Sequence, residues 1–402
     1  MQAVQVSLEE AVAICLQYAR PSATASIELE QAQGRISAVS CFAPQDIPGF
    51  DRSRVDGYAL HRLDVSKTST HRPLNLSVAG SLKAGDQHQV TLYPLQTWRI
   101  MTGTVLPEEC AAVVKQEDVE VSPAGITIYK EVLPGENIEF RGSVMAAGTP
   151  LLSPGQRISA WDAERLASAG FTHVEVFQRP AVYLMQTGDE LVMPGNPLPR
   201  GKIYCSNRSL FFALIRSQGA QPVAGTGPTG DSIDQLVEEI SRGVQQTRLV
   251  IITGGTQHGD YDLVASALQR IKGSRQLFAG IDIHPAHGTS AWLVNQSLVF
   301  NLPGNPGAGY VLYHALIRPV LNHLSGLEST CEKWISLPLE QTHLKPQKKR
   351  TLTRGVLIIA PDGKCQLVAP GMPADQPGWE VVVDLPAGDK TGIRFLPVGD
   401  VI

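Results

Sequence analysis

The sequence predicts a multidomain chain in which an α/β unit with a parallel sheet is joined to β-rich segments. Three observations carry this reading. The chain has 402 residues, more than one compact core takes, and length alone implies roughly two to four domains. From about residue 180 to 324 the pattern runs strand, loop, helix several times over. On either side, short strand-like runs alternate with Gly/Pro turns.

In chain order, "SLEEAVAICLQYAR" opens with a capping box, Ser7 with Glu10, and repeats apolar residues at helical spacing, predicting a helix over 8–19. Residues 23–175 read as β-rich: "LNLSVAG", "TWRIM", "AAVVKQ" and "ITIYKEV" are strands between turns. "SAWDAERLASAG" is a short helix closed by Gly170. From 180, "AVYLMQ" is a strand, "TGDE" a loop, and a helix follows over about 207–218. "QPVAGTGP" leads into a helix capped by Asp231 or Ser232. "RLVIIT" and "GGTQHG" precede the helix "DLVASALQRI"; then come "FAGIDIHPAHG", the strand "SLVFNLPGNP" and one long helix over about 307–324. This alternation predicts βαβ units with right-handed crossovers. The last 75 residues return to short strands and read as a separate small β domain.

Composition excludes several classes. Net charge is −4 with both signs dispersed, whereas nucleic-acid binding needs a clustered basic face. The basic run "KPQKKR", 345–350, reads as a solvated turn. No apolar run approaches the ~18 residues of a membrane helix, and the acidic N-terminus is no signal peptide. The cysteines at 15, 41, 110, 205, 331 and 365 form no CxxC pair and read as reduced thiols, which predicts a cytoplasmic protein.

In an open parallel sheet, ligands sit outside the carboxyl ends of the strands. The loops predicted there are "TGDE" (187–190), "GTGPTGD" (225–231), "TGGTQHGDYD" (253–262), "HPAHG" (284–288) and "LPGNP" (302–306). Their glycines let backbone N–H groups close on an anion, and helix N-termini add positive dipole ends. "GTGPTGDS" has the frame of a Walker A loop, but Asp231 stands where the lysine must be, so it is no P-loop. Asp189, Glu190, Asp231, Asp260 and Asp262 together suit metal-assisted phosphate chemistry, with Mg²⁺ shared between carboxylates and phosphate oxygens. A second cluster, "DIPGFDRSRVDGYAL", presents Asp46, Asp51 and Asp56 at five-residue intervals among turn residues.

With "RIMTGTVLPEECAAVVKQED", "TGDEL", "IYCSNR", "TGG" and "LPGNPGAGYVLY", that stretch resembles the MoeA family, the molybdopterin molybdenumtransferases related to gephyrin's E domain, over essentially the whole chain in the same order. The resemblance implies four parts: an elongated segment from 1–45 with 140–177, which would carry dimerisation, a β-rich insert over 46–139, an α/β molybdopterin-binding unit over 178–327 and a C-terminal β-barrel-like unit over 328–402. It implies a homodimer whose cleft joins the α/β unit of one chain to the insert of the other, and a partner that adenylylates molybdopterin. The implied reaction inserts molybdate into adenylylated molybdopterin and releases AMP, with Mg²⁺ present.

Residue by residue, Asp56 falls on the acid of "DGYA" and Glu190 on the glutamate of "TGDE", beside Thr187, Gly188 and Asp189. Asp262 falls on the acid eight positions after Gly254, which Gly255 follows; these three carboxylates, Asp56, Glu190 and Asp262, are the implied catalytic set, with Mg²⁺ on Glu190 and Asp262. Ser206 and Asn207 match a hydroxyl–Asn pair, and Pro303, Gly304, Asn305 and Pro306 are intact. The chain also departs from the family. Gln257 replaces a serine, Ser143 and Val144 an acidic pair, Cys205 an acid, and "GMPADQPGWEVVVD" a serine-rich segment. The two lysines of "KPGKP" are His284 and His287. A lysine is charged at physiological pH, whereas a histidine at its reference pKa of ~6.5 mostly is not. Each lost charge-assisted hydrogen bond costs ~1–3 kcal/mol of anion binding. Three readings follow: a working or specialised transferase, a non-catalytic pterin-binding or scaffolding relative, and a metal-binding derivative built on His284, His287, His258 and Asp262.

Overall fold

The computed structural model describes residues 5–86, 89–255, 262–327, 334–337, 347–359, 365–368, 378–387 and 393–401. Helix α1 (Leu8–Tyr18) starts on the expected capping box: Glu10 N donates to Ser7 Oγ at 3.2 Å, and Ser7 N to Glu10 Oε2 at 2.8 Å. Two small antiparallel pairs follow, Thr24–Glu28 with His173–Phe177 and Cys41–Phe42 with Pro150–Leu152. Between them the chain builds a six-stranded sheet, spatially ordered Cys110–Lys115, Gly57–His61, Gln96–Ile100, Leu74–Leu82, Gly125–Ile128, Val119–Ser122.

The α/β unit comprises β1 (Ala181–Thr187), α2 (Asn207–Ser217), β2 (Gln221–Thr229), α3 (Ile233–Gln246), β3 (Leu249–Thr253), α4 (Leu263–Arg270), β4 (Ser274–Ala279), β5 (Ser290–Val294), β6 (Ser297–Leu302), α5 (Pro306–Leu312) and α6 (Arg318–Leu324). The spatial order is β2-β1-β3-β6-β5-β4. Alternate side chains of the inner strands enter opposite cores. Val182, Leu184 and Ile251 meet α1, α2 and α5, while Tyr183, Met185 and Ile252 meet α3 and α4. Burial on both faces explains why these strands read as continuous apolar runs rather than as alternation. Each fully buried large side chain contributes roughly 1.5–3 kcal/mol.

Four details differ from the sequence reading. The sheet is mixed, because β5 pairs antiparallel with both β6 and β4; a tight Asn295-Gln296 turn, with Asn295 at φ 55°, replaces a crossover helix. Residues 225–229, expected as loop, continue β2. That strand is at the sheet edge, where Pro222 and Pro228 cost no essential ladder bond. Ser232 precedes α3, but neither it nor Asp231 caps the helix through its side chain. The expected single helix over 307–324 is α5 and α6 joined by a π-turn, Tyr313–Ile317. There the Tyr313 hydroxyl donates to Leu214 O at 2.8 Å and His314 is buried.

Thr351–Ile359, Cys365–Val368, Gly378–Leu385, Ile393–Val401 and Ile335–Leu337 make a five-stranded antiparallel sheet. Its Leu352, Val382 and Leu396 enter the same core as α1. Arg350, in the basic run read as a solvated turn, instead bridges Glu9 of α1 and Asp384 at 2.7 and 2.9 Å. Burial and pairing are both available to it because Asp384 is buried in the sheet. No helix among the described residues is long and apolar enough to cross a membrane.

Candidate active site

β1, β2, β3 and β6 run parallel, and β4 points the same way, so the five predicted loops leave one edge of the sheet. Three of them enclose a cavity of about 480 Å³, lined by Thr187, Glu190, Ser206, Asn207, Gly254, Gly304, Asn305 and Pro306, with Gln186, Thr253 and Tyr204.

Close backbone approach makes this cavity. Gly254 lies against the β1 end, where an added Cβ would stand 2.2 Å from Thr187 O, and its φ of +106° suits only glycine. Asn207 Nδ2 donates to Gly304 O at 2.8 Å, tying α2 to the "PGNP" turn. Asn305 Oδ1 accepts from Gly307 N and Ala308 N at 2.9 and 3.1 Å, capping α5, and Pro306 takes the first turn where its missing N–H costs nothing. Glu190 is exposed and folds its carboxylate against the Cα of Gly188. Pro303 and Asn305 also border a neighbouring cavity of about 570 Å³, which His284 and Arg354 line as well.

Four buried polar atoms around the first cavity have no partner among the described residues: Gln186 Nε2, Thr187 Oγ1, Asn207 Oδ1 and Thr253 Oγ1. An unmet buried donor or acceptor costs ~1–3 kcal/mol, so this cluster marks a surface finished by a polar ligand or by water. Gln186 and Thr253 were missed in the sequence. The available signal was a polar residue ending an otherwise apolar strand, "AVYLMQT" and "RLVIIT".

Other predicted residues lie elsewhere. Asp189 Oδ1 accepts from Asp231 N at 3.1 Å and its carbonyl from Lys202 Nζ, at the rim. Asp262 does not line the cavity; its Oδ1 caps α4 through Ala265 N at 2.9 Å. Burial pushes its carboxyl pKa up, against the capping bonds that lower it. Gly255, next to Gly254, contacts Val264 of α4. Gln257, His258 and Asp260 lie outside the described residues. Asp56 sits in the β-rich insert, where Thr102 N and Oγ1 both donate to its Oδ1 at 2.7 Å and hold its pKa below the usual carboxylate range. Asp46 pairs with Arg141 at 2.7 Å and Asp51 accepts from Arg141 N, so that pair of carboxylates braces a turn.

His284 and His287 occupy the loop after β4, away from the first cavity. His284 is spliced into the C-terminal sheet: its N donates to Arg350 O at 3.0 Å, and Leu352 N donates to its carbonyl at 2.7 Å. His287 Nδ1 lies 3.3 Å from Gln5 Nε2. Both histidines border a third cavity of about 590 Å³ with Lys348, Lys349 and Arg350. Among the described residues no three of His, Cys, Asp and Glu are grouped to hold a metal ion.

An N-terminal β-rich part is joined to an α/β unit with a polar-walled cavity on its carboxyl edge, the arrangement of a ligand-binding α/β protein, and comparison with known proteins says which. Residues 6–170 match the family model described as "MoeA N-terminal region (domain I and II)" and residues 183–323 that described as "Probable molybdopterin binding domain". The chain is 31% identical to molybdopterin molybdenumtransferase 2 of Mycobacterium tuberculosis over 87% of each chain. It is 33% identical to the Nostoc molybdopterin molybdenumtransferase over 76% of this chain and 70% of the relative. The molybdopterin biosynthesis moea protein from Pyrococcus horikosii superposes with a TM-score of 0.80 at 28% identity, covering 99% of this chain and all of that one. The chain belongs to the MoeA family of molybdopterin molybdenumtransferases.

Proposed function

We propose that the chain acts in molybdenum cofactor biosynthesis as a molybdopterin molybdenumtransferase, inserting molybdate into adenylylated molybdopterin with release of AMP. The unpartnered polar cluster on the wall of the 480 Å³ cavity carries the reading, because a pterin offers donors and acceptors that such a wall requires. Gln186, Thr187 and Thr253 bind and orient the ring system, while Ser206, Asn207 and the Gly304-Asn305 backbone face the phosphate-bearing part. Glu190 is the one carboxylate on the described lining, and one carboxylate with phosphate oxygens is a donor set that Mg²⁺ accepts. Such an ion, with Glu190 as its protein ligand and Asp262 the second carboxylate that the family motif implies, would neutralise charge on the phosphate oxygens. Asp262 caps α4 outside the described lining, and its catalytic role in this reading comes from its motif position after Gly254. His284 and His287, with Lys348 and Lys349 beside them, take the anion-holding role of the family's lysine pair. Molybdate and adenylylated molybdopterin are substrates, and the protein that adenylylates molybdopterin is the expected partner.

A homodimer is part of the same reading, with Asp56 of one copy completing the cleft of the other. Phe42, Phe50, Phe140, Val144 and Trp161 are exposed by 44–70% on the N-terminal parts, surface of the kind a second copy covers. A cytoplasmic site of action agrees with the free thiols of Cys15, Cys41, Cys110 and Cys205. The test is AMP release by purified protein given adenylylated molybdopterin, molybdate and Mg²⁺. Molybdate-dependent release supports the transferase; tight pterin binding without release supports a non-catalytic carrier instead.

A further inference from the structure

The largest cavity described, about 670 Å³, lies on the opposite edge of the central sheet, at the amino ends of β1, β3 and β6. Arg20, Arg179 and Arg248 line it, and a narrower cleft sharing Gln178, Arg179 and Pro180 continues from it to Arg35 and Arg157. No Asp or Glu lines either cleft among the described residues, and none of the five arginines holds a carboxylate there. Arg52, Arg62 and Arg270, also on the surface, each do, at 2.6–2.9 Å. Arg20, Arg35 and Arg157 donate to backbone carbonyls and Arg248 to an amide oxygen. In a chain of net charge −4, five guanidinium groups on one connected surface with no carboxylate partner among the described residues are not the by-product of a basic composition. They also disfavour one another: burial first, then the like charge of Arg179, pulls down the pKa of Arg35.

Three helices end around the larger cleft, α1 just before Arg20, α3 at Gln246 and α6 at Leu324. Each end carries about −0.5 charge, so three arginines leave an excess of roughly +1.5. The remaining polar lining is mostly amide, Gln178, Gln245, Gln246, Asn295 and Gln296, with the hydroxyls of Ser22, Thr247 and Ser297, the last two already donating to backbone carbonyls. Arg248 Nη1 donates to Gln296 Oε1 at 2.8 Å and leaves that amide's N–H₂ turned to other partners. Amide side chains and helix-end carbonyls offer acceptors as well as donors. A phosphate has no N–H to give them, whereas a polypeptide backbone has one per residue. Among the described residues the larger cleft has no aromatic residue on its lining and the narrower one has Phe177 alone, so successive bases are offered no run of stacking platforms.

We propose that this arginine-lined cleft on the amino edge of the sheet binds an acidic polypeptide segment of a partner protein. The arginines take Asp and Glu side chains, and the amides and helix-end carbonyls take the segment's backbone. The site is separate from the cavity assigned to the transferase reaction and stands or falls without it.

The probe is a fluorescein-labelled decapeptide of alternating Glu and Gly, followed by anisotropy with the full chain at low and physiological salt. The triple variant Arg20→Gln, Arg179→Gln, Arg248→Gln should bind it at least about tenfold more weakly. The control Arg52→Gln, Arg62→Gln, Arg270→Gln, which removes the same charge from paired positions, should stay within about twofold, because screened rim charge alone contributes little. Equal loss in both variants, or none in the first, overturns the proposal. Displacement of the probe by inorganic tripolyphosphate or a short oligonucleotide at lower concentration than by unlabelled peptide also overturns it, in favour of a phosphate ligand. If the triple variant does not fold, Arg179→Glu alone, at an exposed position, must abolish binding at unchanged melting temperature. AMP release should be unaltered in Arg179→Glu, which separates failure here from failure of the transferase reading.

Discussion

Glu190 rests against the Cα of Gly188, whose φ of +144° and missing side chain make room for it; an added Cβ would lie 2.5 Å from Oε2. Glu190→Gln keeps that shape and removes the charge. It should lower the rate of AMP release by about 10²-fold or more at unchanged melting temperature, since the side chain is exposed. An unaltered rate would remove Glu190 from the reaction. His284→Lys with His287→Lys should lower the KM for molybdate, measured by molybdate-dependent AMP release, because each lysine restores a permanent cation at an anion edge. A KM that rises or stays the same contradicts the anion-holding role. Glu190, Ser206, Asn207, Gly254 and the "PGNP" turn were legible because their residue types and loop positions are themselves the signal. Gln186 and Thr253 were not, since strand ends are recognised by what precedes them. The capping role of Asp262 shows the reverse: a motif position names a residue but not the bond it makes.

At the scale of elements, Glu239 of α3 decides how β2 is held. Its carboxylate accepts from Tyr183 OH at 2.7 Å, Thr226 N at 2.8 Å, Thr226 Oγ1 at 3.1 Å and Arg242 Nη1 at 3.0 Å, and it is only 4% exposed. This explains the misreading of "GTGPT". Turn-forming residues form an edge strand because a helix carboxylate supplies the bond that the irregular ladder lacks at Thr226. Glu239→Ala should destabilise the protein by about 2–4 kcal/mol, leaving buried donors unmet, read as a lower denaturant midpoint. Burial pushes the Glu239 pKa up, but the four donors outweigh it and hold it below the usual glutamate value. A depressed folded pKa contributes stability above the unfolded value of ~4.3 and loses it as pH falls through the folded one. The acid limb of the stability profile should therefore flatten in Glu239→Gln; an unchanged limb contradicts the network. The two antiparallel strands at the β4 edge escaped the periodicity argument for a different reason. A buried strand shows no direction in its composition, and only the short Asn295-Gln296 connection tells a hairpin from a crossover.

For the whole molecule, the dimer reading makes a sharp demand. Asp56→Asn and Glu190→Gln chains, each inactive alone, should recover AMP release when mixed under conditions that exchange subunits, because one cleft of the mixed dimer is intact. Failure to recover, with exchange verified by mass, means that Asp56 does not act across subunits. A second demand concerns acid. Glu9 is held down to about 2, first by its bonds from Arg350 and also by Arg394. Its contribution to docking α1 on the C-terminal sheet is thus complete above pH ~4.5 and lost as pH falls toward 2. Glu9 is 57% exposed, so salt should weaken the same contact, and hydrogen exchange in α1 should quicken with either change. No periodicity in the sequence could reveal this contact, since Glu9 and Arg350 are 341 residues apart.

The splice of His284 into the C-terminal sheet bears on how such chains can recombine. Leu352, Val382 and Leu396 share one core with α1, Arg350 closes on Glu9, and the loop carrying the two histidines is stitched to the strand that starts at Thr351. The terminal unit is therefore no detachable cassette. A chimaera that takes it from a lysine-bearing relative inherits a foreign seam at the first helix and at the histidine loop together. Lineages should exchange these three pieces as a set, or leave them in place.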